Sequence, residues 1–406
     1  MRWILLIGLA ASLSASAQQA SRMTAPDSPA PTIRHAVNAA WQRSVDGRAI
    51  DARREAATAR RDAAASWTPE PPSLTLSQRS DRFHRNDGMR EIEAELEVPL
   101  WLPGTRAAAT ALADAEGGVL EADLTLARLK LAGEVREAVW SLRLAQNDLD
   151  ANRRRVAEAE ALAADVQRRV ATGDLARIDA NGAQGALQQA RVAQTEAQAR
   201  LLREHRLYTA LTGLSQLPTD HEADAAAPEL DTHPGLFGKR RGVELARARL
   251  HQASTTTRDA PELILGITRE RGDSVERYAN TTTIGVRIPF GTDARNRPQI
   301  SVANAELIEA VAAAALERER LVAELDAARN ELDQARHAEA FATERARLAA
   351  DTRQLLAKSF ALGQIDLPTR LRAENEHFDA ELALGRARLE TGRAASRLQQ
   401  AYGLLP

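Results

Sequence analysis

The segment "RRVATGDLARID" (168–179) interrupts a long stretch rich in Ala, Leu and Arg whose pattern is otherwise helical. A second segment, "FALGQIDLPTRL" (360–371), interrupts a second such stretch in much the same way. Each contains one glycine, Gly173 or Gly363, which adopts a positive φ at a helix C-terminus without steric cost. Asp174 follows the first glycine, and we expect its carboxylate to cap the next helix. Each break therefore predicts the tip of a helical hairpin rather than a kink.

The two breaks belong to an internal duplication of the chain. Gly363 lies 190 positions after Gly173, and other residues repeat at the same spacing. These pairs are Pro71 with Pro261, Pro99 with Pro289, Leu131 with Leu321, Leu142 with Leu332, and Gly213 with Gly403. Because rare punctuating residues align here without gaps, we infer two structural repeats. Each is predicted to contain a short helix, a pair of strands, a long helix, the glycine break and a medium helix.

The long helices carry a heptad-like apolar seam. In the first repeat it steps by four and three residues from Leu131 through Val135 to Val170, over about 40 residues. A helix over about 105–172 would be roughly 100 Å long at 1.5 Å per residue. Such a helix cannot bury its seam inside a compact domain, so it needs neighbouring helices along its full length.

Two segments alternate strictly in the manner of strands. These are "REIEAELEVPL" (90–100) and "NTTTIGVRIPF" (280–290), and partner strands precede them at 72–83 and 261–272. Their length is near that of a membrane-spanning β-strand. A small soluble sheet with one wet face is the alternative. Four strands cannot close a barrel and an open edge cannot face lipid, so in a membrane several chains must share one barrel.

In a membrane barrel, one face of each strand lines the water-filled lumen and the other face contacts lipid. The residues expected to face the lumen are Glu91, Glu93, Glu95, Glu97, Thr281, Thr283 and Arg287. Those expected to face lipid are Ile92, Leu96, Val98, Ile284, Val286 and Ile288. Trp101 and Phe290, at the strand ends, are expected interfacial anchors. The two first strands differ in phase by one residue at the offset of 190, so a bulge or a shift is expected there.

The N-terminus has the pattern of an export signal. Arg2 precedes the apolar run "WILLIGLAASL" (3–13), and Ala15-Ser16-Ala17 forms an A-x-A cleavage site. We therefore expect a signal peptide over 1–17 and an exported protein. No other apolar run approaches the roughly 20 residues of a spanning helix. The absence of cysteine excludes disulfides and thiolate metal sites, and a net charge of −2 gives no reason to expect nucleic acid as a partner.

These observations predict a mainly α fold with a small β part, built from duplicated long helical hairpins. The expected divisions are the signal peptide 1–17, a first repeat 18–217, a linker 218–232 and a second repeat 233–406. The first repeat has its strand hairpin at about 72–100, its long helix at about 105–172 and its returning helix at about 175–212. The second repeat has the corresponding elements at about 261–290, 298–362 and 366–402.

The ordered set of motifs resembles the TolC-type outer membrane efflux proteins. The resemblance rests on "VPLWLPGTR" (98–106) and "IPFGTDARN" (288–296) where strands pass into helices, together with the two glycine segments. Within that family the chain is most similar to the CzcC-type outer membrane components of heavy-metal efflux systems. The resemblance implies a homotrimer whose long helical hairpins form a periplasmic α-barrel. Each chain would give four transmembrane strands to one twelve-stranded barrel in outer-membrane lipid. It further implies a periplasmic adaptor and, through it, an inner-membrane pump of the resistance-nodulation-division class.

The resemblance also implies where the adaptor binds. The adaptor-facing hairpin tips would be Thr172, Gly173, Asp174 and Leu175 in the first repeat, and Leu362, Gly363, Gln364 and Ile365 in the second. Family members often carry an acidic residue shortly after the tip glycine. Asp179 matches in the first repeat but Thr369 stands at the equivalent place in the second, so we do not expect an acidic constriction ring built from the second hairpin.

The function implied is that of an outer membrane channel in a tripartite efflux system. It would be a passive export duct in a Gram-negative bacterium, extending into the periplasm, with heavy-metal cations as its expected cargo. The same channel serving drugs or organic compounds is one alternative, and a periplasmic coiled-coil adaptor or scaffold protein is another. The eight histidines are scattered and no catalytic constellation is present, so no enzyme activity, cofactor or resident metal site is expected.

Overall fold

The computed structural model describes residues 31–220, 222 and 228–406. In chain order the elements are α1 (Ile33–Arg43), α2 (Val45–Ala64), β1 (Ser73–Ser80), β2 (Arg90–Pro99), α3 (Thr105–Ala171), α4 (Arg177–Thr212), α5 (Pro234–Thr255), β3 (Glu262–Arg271), β4 (Ala279–Arg287), α6 (Asp293–Ala361) and α7 (Leu367–Ala401). A short 3-10 helix, Leu230–Thr232, precedes α5. The signal peptide expected over 1–17 and part of the linker expected over 218–232 lie outside the described residues.

The offset of 190 residues recurs in the folded elements. The helices α3 and α6 end at Ala171 and Ala361, and α4 and α7 begin at Arg177 and Leu367. The glycines that follow the returning helices, Gly213 and Gly403, have φ of 76° and 75°. The mainly α fold class with a small sheet is thus confirmed, with matched elements in the two halves.

The long helices pack side by side along their length. The helix α3 packs on α4 and α7, α6 packs on α7, and α5 lies against both α3 and α6. The heptad-like seam of α3 is buried as the pattern predicts, with Val135, Leu149 and Val166 each no more than 1% exposed. The seams are rich in alanine, which lets the helix axes approach closely.

The helix α6 departs from expectation at its N-terminal end. It begins at Asp293 rather than near 298, and Pro298 lies inside it. Among the helices that the structure describes, only α6 contains a stretch long and apolar enough, by length and composition, to cross a membrane. That stretch was missed at the sequence level because alanines, rather than a continuous run of large apolar residues, supply much of its hydropathy.

The four strands form one antiparallel sheet in the order β1-β2-β3-β4. Its ladders are continuous, so the expected phase difference between the first strands is not produced by a bulge. Instead nine residues connect the last paired residues Ser80 and Arg90, whereas eight connect Glu270 and Ala279. The shorter turn shifts one strand by one residue and keeps the apolar side chains of both hairpins on the same face.

Candidate functional site

The sheet brings its acidic and hydroxyl side chains together on one face. The register aligns Thr75, Glu95, Gly266 and Thr283 in one row across the four strands. Directly opposed residues of antiparallel strands share a face and alternate residues repeat it. All seven residues predicted to face the lumen therefore lie on this single face, which we call the polar face.

Hydrogen bonds between strands hold several carboxylates of the polar face. The Ser73 hydroxyl donates to Glu97 at 3.1 Å, and the Ser77 hydroxyl donates to Glu93 at 3.2 Å. Arg287 of β4 reaches Glu97 across the sheet at 3.1 Å. Six glutamates and two arginines occupy this face on the four strands: Glu91, Glu93, Glu95, Glu97, Glu262, Glu270, Arg79 and Arg287. The polar face is thus strongly acidic.

The opposite face of the sheet is apolar and open to its surroundings. Leu76 is 72% exposed and Ile284 is 74% exposed, whereas the glutamates along β2 are half-buried. The predicted lipid-facing residues of the strands, Ile92, Leu96, Val98, Ile284 and Val286, lie here, joined by Leu74, Leu76, Leu263, Leu265 and Ile267. Ile288 follows β4 immediately and is 47% exposed. In a soluble sheet the apolar face packs against the core and the polar face is exposed to water. In this sheet the apolar face is the more exposed of the two.

Three aromatic residues lie near the helix-proximal end of the sheet. Phe290 is 87% exposed, whereas the indole nitrogen of Trp101 donates to the Ser66 carbonyl at 3.0 Å. Trp67, which precedes β1 at this end of the sheet, has an indole that is 94% exposed. Sequence reasoning missed Trp67 because it lies outside the strand pattern.

The first hairpin tip reverses at the predicted glycine, but its cap differs from expectation. Gly173 has φ of 86°, and the Asp174 amide donates back to Arg169 O at 2.8 Å, closing the C-terminus of α3. The expectation that Asp174 caps α4 is wrong, because its carboxylate accepts from the Thr172 hydroxyl at 2.9 Å. Asp179, the third residue of α4, accepts from the Ala176 amide at 3.1 Å instead.

The second tip repeats the turn with a different cap. Gly363 has φ of 72°, and the Gln364 amide donates to Ser359 O at 2.9 Å. Asp366 caps α7, accepting from the Thr369 amide at 3.1 Å. Hydrogen bonds from the Thr369 side chain and amide hold the pKa of the Asp366 carboxyl below its usual value.

The two tips lie at the same end of the molecule. Leu175 and Ile365 pack on one buried cluster that includes Val166, Phe360 and Leu367. Arg169 links the hairpins, since it donates to the Phe360 carbonyl at 3.3 Å and stacks on the Phe360 ring 5.1 Å from its centroid. The eight predicted tip residues are therefore brought together, about 100 Å of helix away from the sheet at 1.5 Å per residue.

Ion pairs connect the first hairpin to the second along the helices. Arg386 of α7 makes a bidentate bond to Asp148 of α3 at 2.8 and 2.7 Å. Arg393 and Arg397 both bond Glu137. Although partial burial opposes it, hydrogen bonds from these two arginines hold the pKa of Glu137 below its usual value. The contacts join the two repeats into one layer of helices.

A buried polar cluster lies in the core beside the chain's C-terminal segment. Arg136 of α3, 3% exposed, pairs with Glu222 of the linker at 2.6 Å and donates to Leu404 O at 2.9 Å. His233, 7% exposed, caps α5 by accepting from the Gly235 amide at 3.1 Å. Burial holds the pKa of His233 below its ordinary value. The heptad pattern did not reveal Arg136, because its partner lies 86 positions away.

No group of three or more His, Asp or Glu side chains within residues 31–220, 222 and 228–406 is arranged to hold a metal ion. The described residues present a two-faced sheet at one end of the molecule and paired hairpin tips at the other.

The family model described as outer membrane efflux protein matches residues 36–213. The match covers α1 to α4 and the first strand pair, and the duplication extends the same element order through the rest of the chain. No curated protein matches the chain significantly.

Solved structures of outer membrane proteins and channels share the fold of nearly the whole chain. The chain is similar to CusC, in a structure described as reviewing conformational changes in folding and transmembrane channel formation, with 15% identity, a TM-score of 0.77 and 92% of each chain covered. It is similar to the outer membrane protein VceC of Vibrio cholerae, with 16% identity, a TM-score of 0.73, and 91% of this chain and 96% of that chain covered. It is similar to the MtrE outer membrane channel of Neisseria gonorrhoeae in its open state, with 15% identity, a TM-score of 0.73, and 92% and 89% covered.

Outer membrane efflux proteins lie in the outer membrane of Gram-negative bacteria and extend into the periplasm, and this is the location of the chain.

Proposed function

We propose that the chain is one subunit of an outer-membrane export channel that works as a passive duct. The observation that carries the proposal is the sheet, whose open face is apolar and whose other face is acidic. In a membrane barrel the apolar face meets lipid and the acidic face lines water. The predicted lipid-facing and lumen-facing residues divide between these two faces.

The strand number supports a shared barrel of three chains. Both outer edges of the sheet, those of β1 and β4, lack a partner among the described strands. Since neighbouring strands alternate in direction, β4 of one chain is antiparallel to β1 of the next and can pair with it. Eight strands from two chains leave an interior that side chains nearly fill, whereas twelve from three chains enclose an open lumen.

The exposed apolar residues of α6 support the same assembly in the periplasm. Val302, Ile308 and Leu316 are 59%, 62% and 65% exposed. In a trimer this part of α6 packs against helices of the neighbouring subunit, extending the barrel as an α-helical conduit. Its apolar stretch is thereby an interface between subunits rather than a membrane span.

The hairpin tips are the proposed docking site of a periplasmic adaptor. Leu362 is 73% exposed beside Gly363, and the neighbouring tip contributes Thr172, Asp174 and Leu175. An apolar side chain at an exposed turn, next to polar groups, suits a contact with the helical hairpin of a partner protein. Through the adaptor the channel would serve an inner-membrane pump of the resistance-nodulation-division class.

The cargo is proposed to be a heavy-metal cation. The net negative charge of the polar face favours cations over anions in the lumen. The assignment of these cations as heavy metals rests on the resemblance to CzcC-type proteins. Efflux of drugs or organic compounds through the same channel is the second candidate. Deletion of the gene followed by growth tests separates them: sensitivity to divalent metals is expected, and sensitivity to hydrophobic drugs alone would contradict the metal assignment.

Conductance tests the channel itself. The purified full-length mature protein is added to a planar bilayer of neutral lipid, and stepwise current increments that favour cations are expected. A protein that stays in the aqueous fraction after mild lysis and gives no current would instead support a periplasmic scaffold.

A further inference from the structure

The apolar face of the sheet ends in arginines on the side far from the helices. Along β3 this face carries Leu263, Leu265, Ile267, Arg269 and Arg271 in succession. Arg269 lies about 20 Å along the strand from Leu263, at about 3.3 Å per residue. A face that is apolar over that distance and then turns cationic matches the passage from acyl chains to headgroups.

Tyr278 holds the two arginine side chains in place. The guanidinium of Arg269 lies 4.5 Å from the Tyr278 ring centroid, and that of Arg271 lies 4.9 Å from it. Their charges are therefore less than about 10 Å apart. Tyr278 immediately precedes β4 and is 40% exposed, so the ring and both guanidinium groups are at the surface of the turn region.

These two charges are not neutralised within the part of the chain that the structure describes. Neither Arg269 nor Arg271 makes an ion pair with a described carboxylate, although Arg271 donates to Gly88 O at 3.0 Å. Arg271 is directly opposite Arg90, a like-charge pair that destabilises a sheet unless a counter-ion is present. Arg90 has one, because it pairs with Asp81 at 2.9 Å.

The nearby carboxylates are already used by the turns. Asp81 accepts from the Gly88 amide, and Asp273 accepts from the amides of Val275 and Glu276. Glu276 accepts from the Gly272 amide at 2.6 Å. Arg269 and Arg271 are left to bind an anion supplied from outside the chain.

We propose that Arg269 and Arg271, supported by Tyr278, form a binding site for the phosphate groups of outer-leaflet lipid. The inference rests on the proposed function, which places this end of the sheet at the outer surface of the membrane. Arginine binds phosphate through bidentate charged hydrogen bonds, and the apolar residues below it on β3 receive the acyl chains of the same lipid. The continuity of the charged and apolar surfaces favours a phosphorylated lipid over free phosphate.

The test uses the full-length mature protein, purified as the assembled channel in a non-ionic detergent. Binding of diphosphoryl lipid A is titrated by native mass spectrometry for the wild type, for Arg269→Gln and for the double variant with Arg271→Gln. Each lost arginine is expected to weaken binding about fivefold, and the double variant about 25-fold. Arg79→Gln is the matched control, since Arg79 lies on the polar face of the same sheet and pairs with Glu91.

The outcomes separate this inference from the proposed function. Binding by the Arg79→Gln control within a factor of about two of wild type, with loss of binding to lipid A lacking both phosphates, supports the site. Equal binding by Arg269→Gln and wild type, or equal competition by inorganic phosphate and diphosphoryl lipid A, overturns it. Conductance in neutral lipid without lipid A is measured in parallel for every variant. If the wild type conducts but Arg269→Gln binds lipid A as well as the wild type does, only the lipid site is refuted. If the wild type gives no current, the proposed channel is refuted.

Discussion

Ile284 and Thr283 are neighbours on β4 whose side chains lie on opposite faces of the sheet, so they offer a sharp test of which face meets lipid. Ile284 is 74% exposed and is aligned with Leu74, Leu96 and Leu265. This row lies midway between Ile288 and the row of Arg269, near the middle of the proposed membrane layer. An arginine at the lipid face of a barrel costs about 2–4 kcal/mol at mid-depth.

Every subunit of the assembly carries the Ile284→Arg substitution, so its energetic cost is incurred once per subunit. With three chains in one barrel, the expected loss is roughly 6–12 kcal/mol for the assembly. On a soluble sheet with a wet outer face, the same change at an exposed position is expected to alter stability by no more than about 0.5 kcal/mol. Per subunit, the two accounts therefore predict losses that differ by a factor of about four to eight.

The assay follows folding into phosphatidylcholine vesicles. The fraction of heat-sensitive oligomer on gels and the urea midpoint are compared for wild type, Ile284→Arg and Thr283→Arg. Thr283 is in the row of Glu95 on the polar face, so its arginine variant is expected to fold like wild type. Folding of Ile284→Arg as well as wild type, or equal damage from both variants, would refute the assignment of faces.

Three further changes test the turns and the buried polar cluster. Gly173→Ala is expected to destabilise the first hairpin by about 1–2 kcal/mol because φ there is 86°, whereas Gly185→Ala, with equally open space inside α4, should be neutral or stabilising in a thermal melt. Arg136→Ala is expected to cost about 3–5 kcal/mol in urea unfolding followed by circular dichroism, because it leaves Glu222 buried without its partner. Lowering the pH from about 7.5 to 5.5 is expected to reduce the melting temperature, since the pKa of His233 is depressed and its neutral form is favoured by folding; that loss begins below the unfolded pKa of about 6.5. His233→Asn, which keeps a capping acceptor, should remove this part of the pH dependence.

Each of these has a result that contradicts its reasoning. Equal melting temperatures for Gly173→Ala and Gly185→Ala would mean that backbone conformation does not limit the tip. A loss below about 1 kcal/mol for Arg136→Ala would mean that water reaches Glu222. An unchanged pH profile in His233→Asn would assign the acid sensitivity to groups other than His233.

The duplication and the strand faces were predictable from sequence for a simple reason. The backbone conformation of the turns requires glycine at Gly173 and Gly363. Along 90–100 and 280–290, polar and apolar residues alternate because successive side chains point to opposite faces of the sheet. Neither property depends on distant contacts. The seam of α3 was predictable on the same ground, because helical periodicity is local.

Features that depend on tertiary geometry were not predictable. The sequence predicted Asp174 as the cap of α4, but the path of the turn directs Asp174 to Thr172 and leaves Asp179 to accept from the Ala176 amide. The Arg136–Glu222 pair joins residues far apart in sequence, and the site at Arg269 needs the strand register to place it on the apolar face. Trp67 was missed because its exposure is set by the fold around it rather than by a pattern.

The number of chains in one barrel tests the central claim most directly. Native mass spectrometry of the protein extracted from outer membranes in mild detergent measures it, with a heated sample as the control. Three copies of the mature chain, dissociating to single chains on heating, are predicted, because four strands from each of three chains close a barrel with an open lumen. A monomer or a dimer in the unheated membrane extract would contradict the shared barrel.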